Sequence, residues 1–235
     1  MCQRSEASQR DGTAWDGLYS VGVSIHYWAV PPSSDLFRRL QSDRAFVTLM
    51  GTLFPHGSGV FFFEEMAAAE REEILRAVID DQQRHLGPEP EARRLIEEFR
   101  LELVRTRLAH PGIEQRCGFL EKTSFLIEER LTEALHKVRE DAAAFVGKLV
   151  HGDQRHGALA GMTVDPLDFL NDPASQCANY ISPALVKEGA EVLSGLDAEA
   201  TFINDQVWGL QQFQRWRRLY VEAATHGDAL CGGVC

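Results

Sequence analysis

From Asn179 to Cys235 the punctuation of the chain and its apolar spacing agree throughout, and no other block constrains the fold as much. Ile181-Ser182-Pro183 reads as a helix start, with an N-cap hydroxyl followed by proline at the first helical position, where a missing N–H costs nothing. Leu185, Val186, Ala190 and Leu193 carry an apolar stripe from there to Gly195. After a loop, Leu210, Phe213, Trp216, Tyr220 and Ala224 recur at helical spacing between Asp205 and Thr225, closed by His226-Gly227. The residues that follow, 229–234, read as a strand.

That strand needs a partner, and the other end of the chain offers one. Residues 21–30 (Val-Gly-Val-Ser-Ile-His-Tyr-Trp-Ala-Val) are rich in β-branched and aromatic types and stop at Pro31-Pro32. Alternation puts Val21, Val23, Ile25, Tyr27 and Ala29 on one face, with His26 and Trp28 on the other, where they could line a groove. Pairing 21–30 with 229–234 predicts an α+β fold, mainly helical, with a small sheet tying the two ends together. Residues 1–20 are polar and mixed in charge and are expected to form a flexible N-terminal extension, leaving 21–235 as a single domain.

The middle reads as helices. Ser33, Ser34 and Asp35 are N-cap candidates for a helix carrying Leu36, Phe37 and Leu40, followed by a second through Phe46, Val47 and Met50. Pro55 to Gly59 is a loop by composition, and Val60 to Phe63 fits either a short strand or the apolar start of a helix. Helices are expected over 66–86, stopped by Gly87-Pro88, and over 90–109. Between Phe125 and Val150 the apolar positions Ile127, Leu131, Ala134, Leu135, Val138, Ala142, Phe145 and Leu149 advance by three or four residues, which predicts one continuous buried stripe. The stretch 152–179, with Gly157, Gly161, Pro166 and Pro173, reads as a long loop and so as a place to look for a site.

Charge and cysteine usage narrow the function classes. Against 24 Lys and Arg stand 35 Asp and Glu, a net charge of -11, which argues against binding a polyanion such as nucleic acid and would attract a basic partner. No apolar run approaches a membrane span, and no secretory signal is evident, so a cytoplasmic location is expected. Cys2, Cys117, Cys177, Cys231 and Cys235 are odd in number and scattered, which suits reduced thiols.

Motifs that carry chemistry are sparse. His151 and His156 with Asp153 lack the spacing and the third ligand that a metal site needs. Gly57-Ser58-Gly59 lacks the Lys-Ser/Thr of a phosphate loop, and Cys231 with Cys235 lacks the spacing of a redox pair. Asp165, Asp168 and Asp172 fit either a carboxylate cluster for acid-base work or ordinary turn hydrogen bonds. Trp208, Trp216 and Tyr220 beside Arg215, Arg217 and Arg218 fit either an interface or inward packing with solvated arginines.

The segments 179–187, with Ala190 and Leu193, and 219–230 resemble the YfbM-like family of bacterial proteins, and Gly22 to Val30 is similar to that family's opening strand. The resemblance implies an α+β fold and brings no catalytic residues. It marks 64–121 as a helical insertion, and it would let translation begin near Val21. The expected function is that of a non-enzymatic protein-binding module, in its most specific form an immunity or antagonist protein masking a basic toxin. The alternative is an enzyme with a non-local site under the 152–179 loop. Candidate pocket or interface residues are His26, Trp28, Asp165, Asp168, Tyr180, Trp208 and Trp216; no metal or cofactor is expected.

Overall fold

The computed structural model describes residues 25–53, 66–120, 124–152, 159–160, 179–204 and 208–234. Strand β1 (Ile25–Val30) leads into four helices, α1 (Asp35–Ser42), α2 (Arg44–Leu53), α3 (Ala68–Leu86) and α4 (Glu89–Ala109). A 3-10 turn (Ile113–Gln115), strand β2 (Cys117–Leu120) and helices α5 (Ser124–Leu135) and α6 (Ala142–His151) follow. Then come β3 (Asn179–Ile181), α7 (Pro183–Gly195), α8 (Ala198–Thr201), α9 (Gly209–His226) and β4 (Ala229–Val234).

The four strands form one antiparallel sheet in the order β2-β1-β4-β3, so β1 and β4 are its centre. Ile25 faces Val234 and Val30 faces Ala229, which confirms the expected pairing of the two ends. Strands β2 and β3 were not legible in advance. Each is shorter than the usual strand, β2 lies at the end of a region dominated by helical spacing, and β3 abuts a helix cap.

Both faces of the sheet are covered, and strand alternation decides which residue enters which core. Ile25, Tyr27, Ala29, Leu120, Ile181 and Leu230 belong to one cluster, shared with α5, α6, α7, α8 and α9. Trp28, Val30, Ala229 and Cys231 belong to the other, built with α1 to α4. One cross-strand row on that second face runs Cys117, Trp28, Cys231, Tyr180 across all four strands. The protein is therefore a three-layer sandwich with a thin sheet between two helical layers.

Local chemistry sets the helix ends. Ser34 Oγ accepts from Phe37 N at 3.1 Å to start α1, and Ser182 Oγ accepts from Leu185 N at 3.3 Å to start α7, with Pro183 next. Helix α9 stops at Gly227, which takes a left-handed conformation (φ 70°, ψ 24°). Asp228 N then bonds Ala223 O and Gly227 N bonds Ala224 O, the paired bonds of a Schellman turn, and this turn delivers Asp228 to the sheet end.

One expectation fails. The stripe from Phe125 to Val150 is not continuous: α5 ends at Leu135, α6 begins at Ala142, and Val138 is 80% exposed. A three- or four-residue step survives a turn that happens to preserve phase, so periodicity alone misses the break. Arg139 holds the turn, with Nε 2.6 Å from Asp141 Oδ1, Nη1 3.0 Å from Glu188 Oε1, and its guanidinium over the Phe145 ring. The segment read as an insertion contains α3, α4 and β2, and so contributes one edge strand of the sheet as well as helices.

Candidate functional site

Among the described residues, the candidates from the sequence are spread over both sides of the sheet and the α8–α9 corner. Trp28 is fully buried beneath α1 to α4, so its side chain belongs to the core and lines no exposed surface. His26 is partly buried, and that desolvation pulls its pKa below the ordinary histidine value. Tyr180 stacks on Phe37 with ring centroids 5.9 Å apart, and burial pushes its hydroxyl up to about 12. Trp216 lies on the opposite side of the sheet between Tyr27 and Tyr220, with centroids at 6.5 Å and 5.0 Å. Asp165, Asp168 and Asp172 fall outside the described residues, as do Asp153, His156 and the Gly57 to Gly59 loop.

Trp208 has the opposite environment. It precedes the first turn of α9 and is 59% exposed, while Ile203, just past the end of α8, is 65% exposed. Phe125, on α5, is a third exposed apolar side chain, and α5 packs against both α8 and α9. Apolar groups this large remain in water on adjoining elements of one helical layer. Of the nearby arginines, Arg217 is engaged: its guanidinium sits 5.4 Å from the Phe213 ring centroid and bonds Leu196 O at 3.4 Å. Arg215 and Arg218 are exposed.

Two polar constellations escaped the sequence. At the C-terminal end of β1, Arg116 and Asp228 form an almost wholly buried ion pair, with Nε 3.0 Å from Oδ2. The approach is off the hydrogen-bonding axis, so the contact is one of charge. Burial raises the Asp228 pKa above the ordinary aspartate value, opposed by the charges of Arg116, then His226 and His110. Arg116 O also accepts from Ala29 N at 2.9 Å, so this residue anchors backbone and charge together. The available signal was an acidic residue wedged between a helix-ending glycine and a strand.

The second constellation is His151 Nε2 to Glu128 Oε1 at 2.9 Å, joining the last residue of α6 to α5. It is a carboxylate-oriented imidazole, the geometry that general-base chemistry uses, and equally an interhelical tie. Among the described residues no group of three or more His, Cys, Asp or Glu is placed to hold a metal ion. The buried Cys231 and the half-buried Cys117 are poor nucleophiles, because desolvation raises the pKa of each thiol. No helix among the described residues is long and apolar enough to cross a membrane. The chain matches no family model, no curated protein and no solved structure in comparisons with known proteins.

Proposed function

We propose that this protein is a non-enzymatic binding module whose contact edge is the α8–α9 corner carrying Ile203 and Trp208, and whose partner is a protein with basic groups around an apolar anchor. The exposure of those two side chains carries the proposal, since Trp is the residue type most enriched where binding energy concentrates. The net charge of -11 supports a basic partner by steering. An immunity or antagonist protein masking a basic toxin in a bacterial cytoplasm is the most specific form of this reading. The resemblance to the YfbM-like family goes with it, because the residues that carry the resemblance build α7, the end of α9 and the central strands, a scaffold with no catalytic set.

Capture from the native host's lysate at moderate salt tests it. The wild type recovers a stoichiometric protein partner, and Trp208→Ala, with an unchanged melting temperature, recovers at least tenfold less. Absence of any stoichiometric partner on the wild type overturns the proposal. A second reading, an enzyme with its site beneath residues 152–179, has the His151–Glu128 pair in its favour. It predicts a hydrolytic or proton-transfer activity that His151→Ala abolishes without unfolding the chain.

A further inference from the structure

Buried side-chain polar atoms normally have partners, so the exceptions carry information. Among the described residues, several that lack a hydrogen bond are compensated by charge. Arg116 and Asp228 face each other, Glu114 lies 3.9 Å from Arg107, and Glu102 reaches Arg105 through its other oxygen. Gln212 Oε1 and Trp216 Nε1 have no such compensation. Gln212 is 3% exposed and Trp216 1%, and the two are four residues apart on α9, which puts them on one helix face one turn apart.

Their polarities are opposite. An indole N–H can only donate, and an amide oxygen can only accept. The aromatic neighbours of Trp216 have their hydroxyl protons committed elsewhere, with Tyr27 Oη donating to Val150 O and Tyr220 Oη to Leu149 O, each at 2.6 Å. A group that satisfies both orphans must accept from Trp216 and donate to Gln212. A charged group would be uncompensated in this apolar layer, and a close-packed core admits only something small.

We propose that Gln212 and Trp216 are a binding site for one internal water molecule, which accepts from Trp216 Nε1–H and donates to Gln212 Oε1. This water ties two successive turns of α9 together and fixes the orientation of the Trp216 ring over Tyr27. It also makes the amide at position 212 a specific requirement of the site, where a purely hydrophobic layer would accept leucine. The inference is independent of the binding role proposed above.

Rotating-frame water–indole NMR on the intact chain with 15N-labelled tryptophan tests it, the Trp216 resonance being assigned by its loss in Trp216→Phe. The wild type shows a water cross-peak at the Trp216 indole N–H with the sign of a long-lived bound water, and Gln212→Leu loses it. A wild type without the cross-peak overturns the proposal in favour of a direct Trp216–Gln212 bond. Persistence of an equally strong cross-peak in Gln212→Leu overturns it too. Should Gln212→Leu fail to fold, a wild-type crystal structure decides, by the presence or absence of a water within hydrogen-bond distance of both atoms.

Discussion

The two helical layers solve the same problem, covering one face of a narrow sheet, by different means. Helices α1 to α4 are consecutive in sequence, meet through side-chain contacts such as the T-shaped Phe46–Phe99 pair, and are laced outside by ion pairs. Arg93, for example, reaches Glu72 and Glu89, each at 2.9 Å. The opposite layer gathers α5, α6, α7 and α9 from scattered positions and fixes them by contacts that permit little variation. Buried tyrosine hydroxyls bond the Leu149 and Val150 carbonyls near the end of α6. Gly189 lets α7 approach so closely that an added Cβ would sit 2.7 Å from Tyr220 Cε1 and Leu149 Cδ2. A locally assembled layer can rest on apolar pattern and solvated charge, whereas a layer assembled from distant segments needs specific geometry.

The contrast breaks first where the layers meet. Arg116 and Asp228 span the end of β1 next to the last turn of α9, so either Arg116→Met or Asp228→Ala alone strands a buried charge and costs about 3–5 kcal/mol. The double variant Arg116→Met with Asp228→Leu recovers most of that loss in urea unfolding; a loss equal to the sum of the singles would mean that the two groups act independently. The pH dependence has a definite sign. Because the folded pKa of Asp228 lies above the unfolded value, the folded state holds the proton more tightly, and this site's contribution to stability rises as pH falls through the folded pKa toward the unfolded one. Asp228→Asn lacks that component.

Two glycines, one in each layer, share a backbone geometry and differ in what surrounds them. Gly87 (φ 82°, ψ -169°) closes α3 in the first layer and Gly152 (φ 77°, ψ 173°) closes α6 in the second, a region that side chains essentially avoid. At Gly87 an added Cβ meets the flexible carboxylate of Glu91, but at Gly152 it meets the Tyr180 backbone oxygen at 2.5 Å. Gly152→Ala is expected to cost roughly 3 kcal/mol or more and Gly87→Ala about 1–2 kcal/mol in chemical denaturation. Equal costs would remove the distinction between the layers. Tyr220→Phe and Tyr27→Phe, each depriving a buried carbonyl of a donor, are expected to lose about 1–3 kcal/mol. The smallest effect is on the other side: Arg93→Ala shifts the melting temperature only slightly, and the shift vanishes at high salt.

Much of this was legible in the residues. The N-caps at Ser34 and Ser182, the stops at Gly87 and Gly227, and the alternation of Ile25, Tyr27 and Ala29 against Trp28 and Val30 are local signals, and the structure uses each as expected. What was not legible depends on partners distant in sequence. A three-residue strand such as β3 is defined only by the strand beside it, and the α5–α6 turn is fixed by Arg139 meeting Glu188 on α7. The candidate site divides in the same way. Helical spacing identifies Trp216 as stripe and leaves Trp208 at the edge, but only the fold buries the first to 1% and leaves the second in water. Arg116 and Asp228 gave no warning of each other, because a pairing across β1 has no sequence period.

The second layer is rigid on its inside, and the proposed contact lies at its exposed α8–α9 corner. Trp208, just ahead of α9, and Trp216, about two turns further on within it, test this together. The measurement is partner capture beside thermal unfolding for Trp208→Ala and Trp216→Ala. Trp208→Ala is expected to keep the wild-type melting temperature and lose the partner, while Trp216→Ala loses about 3–5 kcal/mol of stability. Undiminished capture by Trp208→Ala would contradict it.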